Sequence, residues 1–322
     1  MQVTIRLANL PQDYPAIAAV LEDENPGGGE SAEELAYADA TQEVHHHHAT
    51  LVAQVTELEP AATPYLVGVA FVGHDTLAHQ VGKFVINLRV RPDWQGRRVG
   101  KALYRAVGEH LQPFSPQELV TSVWHAHPRA ARFLSERGFV EAWRRVDWQL
   151  DVTAFDSAPY AGLAERLQAA GIIIKTYADL AHDAQRLTKL HELDWALWQS
   201  IPFGQPVTKR SLEQFTAQEV DHPKFIAEAC FIALAGQEFV GYSNLSAIAQ
   251  GYNTEMTGVL PGYRGHGIAS LLKLYGIRYA QEHGAGQIDT QNDSINEGMI
   301  ALNQKLGFMQ TGAQLRFVKN IS

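Results

Sequence analysis

The chain has 322 residues, of which 46% are hydrophobic and 19% charged, and its formal net charge is −9. This length exceeds the roughly 100–200 residues of one typical domain and favours two domains. The acidic balance argues against nucleic acid as a partner, because phosphate groups are usually bound by a basic face. No run of about 18 apolar residues predicts a transmembrane helix, so we expect no membrane association.

The first half of the chain predicts strands and helices in alternation. A strand-like run at 3–8 precedes a helix-like stretch at 11–24, and further strand-like runs follow at 65–73 and 83–90. A glycine-containing turn, QGRRVG at 95–100, then opens a helix. One more strand and a helix that ends in a Gly-Phe pair complete this half.

Three other segments of the first half are interpreted as connections. Residues 25–31, NPGGGES, predict a flexible loop. Four consecutive histidines, His45–His48, predict a solvated loop or helix edge; because consecutive side chains rarely converge on one metal ion, we expect no metal site. Residues 151–171 combine turn residues with a leucine- and alanine-rich stretch that ends at Gly171, which predicts a linker helix.

The second half predicts the same order of elements. Its single cysteine, Cys230, lies in the apolar run AEACFIALA and is interpreted as a buried strand residue. One cysteine excludes an intrachain disulfide framework, and with no visible signal peptide it predicts a cytoplasmic location. Three aromatic residues near 200, Trp195, Trp198 and Phe203, are attributed to packing of a helix on the sheet, with an acceptor pocket as the alternative.

The two halves repeat each other at a constant offset. VRPDWQGRRVG from Val90 and VLPGYRGHGIA from Val259 lie 169 residues apart, and so do the Gly-Phe pairs and the opening strands. The period is far longer than that of a solenoid repeat. We therefore predict two tandem domains, 1–150 and 172–322, joined by the linker helix 151–171. Strands alternating with helices predict an α/β layered fold with a mixed sheet.

Three glycines fall within Gly262–Gly267, at the mouth of a predicted helix. A helix N-terminus presents free backbone N–H groups and a partial positive charge, and glycines let a phosphate approach that backbone closely. A plain strand-to-helix turn is the alternative. The pattern matches neither a Walker loop nor a dinucleotide fingerprint.

The turn RGHGIA, 264–269, resembles the Q/R-x-x-G-x-G/A loop of the GNAT superfamily, the Gcn5-related N-acetyltransferases. The stretch NEGMIALNQKLGF, 296–308, resembles that family's second motif, an Asn that opens a helix ending in Gly-Phe. Both patterns recur in the first half, at 95–100 and 127–139. The whole chain resembles tandem GNAT proteins, a group that includes mycothiol synthase.

The resemblance implies two GNAT-type domains, each a mixed, mostly antiparallel sheet flanked by helices. Strands four and five of each domain would separate around acetyl-CoA, which is the co-substrate. The backbone N–H groups of the loop would hold the diphosphate of CoA, with added positive charge from Arg264 and His266. The residues that the resemblance assigns to cofactor binding are Val259, Arg264, Gly265, His266, Gly267, Ile268, Ala269, Asn296 and Asn303.

Acetyl transfer to an amine requires a neutral amine and a polarised carbonyl. By resemblance, the general base is Glu255 and the polarising group is the backbone N–H near Val259; an ordinary solvent-facing carboxylate is the alternative for Glu255. Asn303 stands where the family often has a general-acid tyrosine, and would hydrogen-bond the CoA sulfur or the pantetheine arm. Asn296 matches the helix-opening Asn and is also a favoured N-cap residue.

The first copy departs from the family pattern at each of these positions. Arg98 replaces the loop glycine, Ile86 stands at the position of Glu255, and Leu134 and His127 stand at those of Asn303 and Asn296. We therefore predict a degenerate, non-catalytic N-terminal domain. The alternative is that this domain still binds a second cofactor molecule, at Val90, Arg97, Arg98, Gly100 and Lys101.

These observations predict an acetyl-CoA-dependent N-acetyltransferase that works by direct attack of an amine in its C-terminal domain. The partner would be a small-molecule or peptide amine. Two other readings remain: a non-catalytic acyl-CoA-binding or sensor protein, and an enzyme with a non-amine acceptor.

Overall fold

The computed structural model describes residues 2–25, 29–42, 45–56, 65–75, 78–202 and 206–321. Phe203 and part of the predicted loop at 25–31 lie outside these residues. The described chain is a mixed α/β fold with mostly antiparallel strands, which confirms the predicted fold class. None of the helices in these ranges is both long and apolar enough to span a bilayer.

Two compact units make up the chain. Unit 1 comprises Met1–Val123, His127–Ala142 and Arg316–Ser322, and unit 2 comprises Trp124–Ala126 and Trp143–Leu315. The predicted limits, 1–150 and 172–322, differ from this division around residue 145. The reason is that Arg145–Asp151 pair in antiparallel register with Gln287–Asp293, deep in the second half of the sequence.

Unit 1 has the predicted strands and helices in the predicted order, together with a helix, Ala32–Ala40, and a strand, His48–Thr56, that were not predicted. Its strands are arranged in the order β1-β2-β3-β4-β5, antiparallel except for a short parallel pairing of β4 with β5. The elements are β1 (Gln2–Leu7), α1 (Tyr14–Glu24), α2 (Ala32–Ala40), β2 (His48–Thr56), β3 (Tyr65–His74), β4 (Lys83–Val90), α3 (Val99–Leu111), β5 (Glu118–Trp124) and α4 (Pro128–Ser135).

Unit 2 has the strand order β6-β11-β10-β9-β8-β7, with β10 and β11 parallel. A π-helical turn, Thr216–Val220, continues its third helix. The elements are β6 (Val140–Asp151), α5 (Leu163–Ala169), β7 (Ile172–Thr176), α6 (Arg186–Ser200), α7 (Leu212–Phe215), β8 (Phe225–Ala235), β9 (Glu238–Ile248), β10 (Gly251–Val259), α8 (Ile268–Glu282), β11 (Gln287–Asp293), α9 (Glu297–Lys305) and β12 (Met309–Asn320), whose last residues belong to unit 1.

Helices cover both faces of the sheet in unit 2. Helix α8 buries residues at three- and four-residue spacing, Leu272 and Ile277 among them, in one apolar cluster with Ile288 of β11. Leu197 of α6 belongs to a second cluster, which also contains Cys230. Cys230 is fully buried on β8, as predicted.

The predicted linker helix is present as α5. It is shorter than the segment 151–171, because Gly162 at its N-cap and Gly171 after its end both adopt positive φ angles, 75° and 81°. Leu163 and Leu167 are buried in the same apolar cluster as α8. The linker is therefore packed onto unit 2 rather than extended.

The turns that open α8 and α3 share one backbone conformation. In unit 2, Gly265 and Gly267 have φ angles of +80° and +92°, and Gly267 is the N-cap of α8. In unit 1, the equivalent residues Gly96 and Arg98 have φ angles of +78° and +67°. Arg98 thus keeps a left-handed conformation that a side chain disfavours, at a cost of about 1–2 kcal/mol.

Removing the Arg98 side chain should relieve this strain. We expect Arg98→Gly to raise the free energy of unfolding by about 0.5–1 kcal/mol, because the strain released exceeds the added flexibility of the unfolded chain. Denaturant unfolding of the full chain measures the change. Arg97→Gly, next to it but without a positive φ, is the matched control and should lower stability. An equal decrease in the free energy of unfolding in both variants would contradict the strain at Arg98.

Lys273 is a charged residue type in an apolar position on α8. Its side chain is buried, and Nζ has no hydrogen-bond partner among the described residues. The ring of Phe308 lies 4.4 Å from Nζ. Burial lowers the pKa of this amine from its ordinary value of 10.5 to about 7.

This depressed pKa makes stability depend on pH in a defined direction. Between pH 7 and 10.5 the unfolded chain binds a proton at Lys273 that the folded chain does not, so stability rises with pH across this window. Lys273→Met should therefore be more stable than the parent at pH 7, by a few kcal/mol. This difference in the free energy of unfolding should become smaller towards pH 10. Denaturant unfolding at several pH values tests this, with the exposed Lys305→Met as the control. A stability difference between variant and parent that does not change with pH would contradict the lowered pKa of Lys273.

Candidate active site

The parallel strands β10 and β11 stay paired only at their beginnings. Their register runs from Gly251 opposite Gln287 to Thr254 opposite Thr290, and it ends there. At the same point the pairing of β10 with β9 shifts by a bulge between Thr254 and Met256. A bulge bends its strand locally, so the two strands separate beyond it, as the family resemblance implied.

A cavity of about 170 Å³ occupies this separation, and we call it the cleft cavity. Both strands, β6, α6 and α9 contribute to its walls. Its lining residues are Arg145, Trp198, Ile201, Asn253, Thr254, Glu255, Met256, Thr257, Thr290, Gln291, Asn292, Asp293, Asn296 and Met299.

The N-terminus of α8 follows the end of β10 after one short turn. No side chain of the described residues caps this helix, so its first backbone N–H groups remain available. Gly265 and His266 are exposed, and apart from its chain neighbours no atom of the described residues lies within 4 Å of the point where a Cβ would stand on Gly265. Ile268 is buried beneath the turn and Ala269 is half-buried. The geometry suits a diphosphate held by backbone N–H groups.

Arg264 fixes the turn to the end of the strand. Its Nε donates to the backbone oxygen of Val259 at 2.9 Å, and its NH2 group donates to Ser200 Oγ at 2.6 Å. The guanidinium thus has a structural role in addition to the positive charge it supplies. That double role was not evident from the sequence, because Ser200 is 64 residues away.

The backbone N–H of Val259 faces the cleft side of β10. The next residue, Leu260, donates its N–H to Val240 of β9 at 2.8 Å. Successive N–H groups of an extended strand point to opposite edges, so that of Val259 points towards the β11 side, where the ladder has ended. A backbone donor in this position can polarise a carbonyl oxygen.

Glu255 stands at the bulge, with an exposed side chain. Its Oε1 accepts hydrogen bonds from Ser246 Oγ and, at 2.8 Å, from Asn253 Nδ2. Its Oε2 accepts none from the part of the chain that is described. One oxygen is therefore held in place and the other is available to take a proton.

Three asparagines connect β11 with α9. Asn296 caps α9 by accepting the backbone N–H of Met299 at 3.2 Å, which confirms its interpretation as an N-cap. Asn303 is fully buried and donates through Nδ2 to Asn292 Oδ1 at 3.1 Å. Its Oδ1 has no partner in the described residues. This unpaired atom is an acceptor, and Asn303 is not among the residues that line the cleft cavity.

A buried ionic network behind β9 had no signal in the sequence. Arg210 donates to Glu219 at 2.7 Å and to Asp194 at 3.1 Å, and Tyr242 Oη donates to Asp194 at 2.6 Å. The four residues come from α6, the loop before α7, the π-helical turn and β9. They are scattered over about 50 positions, and none belongs to a motif.

The predicted second cofactor site in unit 1 has exposed, basic residues. Arg97, Arg98 and Lys101 are all exposed, and the Arg97 guanidinium lies 5.1 Å from the centre of the Trp94 ring. Val90 Cγ2 lies 3.9 Å from the point where a Cβ on Gly100 would stand, an ordinary contact distance, and Gly100 is half-buried.

The positions equivalent to the second copy's catalytic residues are filled by other groups in unit 1. Ile86 is completely buried, so it packs the core where Glu255 faces a cavity. Leu134 is also buried, and His127 stands at the N-cap of α4 without a capping hydrogen bond.

The histidine tract is less solvated than predicted. His46 and His47 are half-buried, and His47 Nε2 lies 3.0 Å from His110 Nε2. Stacking on Phe114, with ring centres 3.9 Å apart, explains the burial of His47. The described residues contain no cluster of three side chains arranged to hold a metal ion.

Comparison with known proteins agrees with this geometry. Residues 187–308 match the sequence model of the acetyltransferase (GNAT) family. The mycothiol acetyltransferase of Streptomyces coelicolor is 24% identical over 257 residues, which cover 78% of this chain and 75% of that protein.

Two solved structures share the fold over nearly the full length. A GCN5-related N-acetyltransferase from Sphaerobacter thermophilus has a TM-score of 0.67 at 18% identity, covering 99% of this chain and 95% of its own. A tandem GNAT protein from the clavulanic acid biosynthesis pathway has a TM-score of 0.72 at 16% identity, covering 99% and 98%. Residues 187–308 are therefore similar in sequence to the GNAT acetyltransferase family, and the chain as a whole shares the fold of a tandem GNAT protein.

Proposed function

We propose that this protein transfers the acetyl group of acetyl-CoA to an amine, and that unit 2 performs the reaction. The observation that carries the proposal is the position of Glu255. Its carboxylate lines the cleft cavity with one oxygen held by hydrogen bonds, on the strand that leads into the glycine turn and α8. The names of the relatives, which are acetyltransferases, support the same reaction class.

The residues present fit acetyl-CoA as co-substrate, which supplies the activated acetyl group. The turn at Gly265–Gly267 and the first N–H groups of α8 would hold the diphosphate. The cleft cavity, between β10 and β11, would receive the thioester end. Asn303 Oδ1, buried without a partner beside β11, would accept a pantetheine N–H.

Proton removal falls to Glu255. An alkyl amine has a pKa of about 10.4 and must lose a proton before it can attack. Four residues of an extended strand span about 13 Å, and this is the separation along β10 between Glu255 and Val259. We therefore propose that Glu255 Oε2 takes the proton through water rather than by direct contact.

The carbonyl oxygen is polarised by the backbone N–H of Val259, which acts where negative charge develops. A leaving thiolate needs little help from a side-chain acid, because a thiol has a pKa of about 8.5. The absence of a tyrosine at position 303 is compatible with this. We assign Asn303 a positioning role, since its amide carries no proton that titrates near neutral pH.

The two units would differ in activity. Unit 1 has Ile86 buried at the position of the base, so we propose that it does not catalyse the reaction. A second cofactor site in unit 1 and a cytoplasmic location for the protein stay predictions from the sequence.

Binding of acetyl-CoA should depend on Gly267. We expect the parent protein to bind about one acetyl-CoA per chain in a calorimetric titration. Gly267→Glu should lower the affinity by at least about 100-fold, because a carboxylate at the helix N-terminus displaces and repels the diphosphate. Gly262→Glu adds the same charge at an exposed glycine with open space around it and should bind normally.

Other outcomes of this titration have distinct meanings. Two sites in the parent, one of which survives Gly267→Glu, would show that unit 1 also binds CoA. Normal binding by Gly267→Glu would show that the diphosphate lies elsewhere. No binding by the parent would remove the proposed function.

Turnover should depend on the Glu255 carboxylate. We expect Glu255→Gln to lower kcat/KM by about 100-fold or more, within the usual range for a general base, while acetyl-CoA affinity changes little. Release of CoA thiol during the reaction measures this. Glu228→Gln, at an exposed carboxylate on β8, two strands away in the sheet, is the control. Unchanged turnover in Glu255→Gln would rule out the base assignment.

A further inference from the structure

A second cavity shares Glu255 with the cleft cavity. Its volume is about 210 Å³, and we call it the Glu219 cavity. Glu255 lines both cavities, so they meet at the proposed base. The lining residues of the Glu219 cavity are Gln218, Glu219, His222, Lys224, Phe225, Asn244, Leu245, Ser246 and Glu255.

The walls of the Glu219 cavity are mainly polar. Hydroxyl, amide and carboxylate groups come from β9, β10 and the π-helical turn, and Phe225 and Leu245 supply apolar surface. A volume of about 210 Å³ accommodates roughly seven waters at 30 Å³ each, or one end of a small organic molecule. A ligand end that enters this space must satisfy polar groups as it displaces that water.

Negative charge is in excess around this cavity. Among the lining residues, Glu219 and Glu255 are acidic and Lys224 is basic, which leaves a net charge of −1. Arg210 and Asp194, which form an ion pair, add no net charge. Burial raises the pKa of Glu219, Arg210 lowers it, and the neighbouring charges of Asp194 and Glu255 raise it, with a net increase. A cation entering the cavity would balance the charge and relieve the repulsion between the two glutamates.

The Arg210 network holds Glu219 in position. Arg210 is 12% exposed and binds both Asp194 and Glu219, so the carboxylate of Glu219 is fixed on one side. The Glu219 side chain remains 37% exposed and lines the cavity with its other side. A carboxylate oriented by an arginine and open to a cavity is suited to bind a second cation at a defined place.

We propose that the Glu219 cavity binds a second, cationic group of the acceptor, so that the substrate is an elongated diamine. One of its amines is acetylated in the cleft cavity, and the other remains an ammonium ion held by Glu219. The inference rests on the proposed acetyl transfer and deepens it by naming the class of acceptor. Glu219 is then a specificity-determining residue and takes no part in the chemical step.

Matched ligands test the cationic end directly. The probes are 1,6-diaminohexane, 6-amino-1-hexanol, 1-aminohexane and 6-aminohexanoate, which share one amine and differ at the far end. Each is titrated calorimetrically into the full-length protein saturated with CoA at pH 7.5. We expect 1,6-diaminohexane to bind at least about tenfold more tightly than the other three, because only it can place one amine in the cleft cavity and at the same time offer Glu219 a charge-assisted hydrogen bond from a second one.

Variants assign the preference to one residue. Glu219→Gln should lower the affinity for 1,6-diaminohexane by about tenfold and change that for 6-amino-1-hexanol by less than about twofold. Glu213→Gln removes a charge from an exposed position on α7 and should change neither. Lys224→Gln increases the negative excess and should tighten diamine binding about threefold. This last variant tests the proposal even if Glu219→Gln does not fold.

The outcomes separate the acceptor class from the reaction. Equal affinity for the four probes, no binding of the diamine, or an equal effect of Glu219→Gln on all of them would overturn the diamine inference. Release of CoA thiol from acetyl-CoA, measured with the same probes, tests the reaction. Binding that depends on Glu219 without any acetyl transfer would remove the proposed function and leave the cation site. Acetylation of 1-aminohexane as efficient as that of 1,6-diaminohexane would support the proposed acetyl transfer and remove the diamine inference.

Discussion

The candidate site depends on the point where β10 and β11 stop pairing. Up to Thr254 and Thr290 the two strands share one ladder, and beyond them each strand keeps backbone groups that the sheet no longer uses. The cleft cavity, the N–H of Val259 and the access to Glu255 all result from this interruption. Backbone N–H and C=O groups at an unpaired strand edge inside a protein are destabilising unless a ligand or water forms hydrogen bonds with them. Here the unpaired edge lies where a substrate can supply those hydrogen bonds.

The second constraint is electrostatic and lies behind the sheet. Arg210 is buried between two carboxylates, an arrangement that stabilises little by itself because desolvation opposes the attraction. Its effect is to fix orientation: Asp194 is tied to Tyr242, and Glu219 is presented to a cavity. The acceptor side of unit 2 thus has a defined charge pattern that does not rely on exposed, mobile side chains.

The sequence predicted those features that depend on local chemistry. The glycine turn, the cap at Asn296, the buried Cys230 and the internal duplication follow from residue type and spacing. Features that depend on tertiary pairing could not be predicted in this way. The placement of 143–150 with unit 2 results from a long-range strand register, and the Glu219 cavity joins residues that lie 36 positions apart along the chain, from Glu219 to Glu255.

The packing of α5 against the glycine turn links two parts of unit 2 that have different tasks. A Cβ on Gly267 would stand 3.1 Å from Leu163 Cδ1, so the linker helix contacts the N-cap of α8. Any ligand that orders this turn also orders the contact, and its binding energy is shared with the linker. Resistance of residues 152–162 to a protease would then report occupancy of the turn, without any measurement of catalysis.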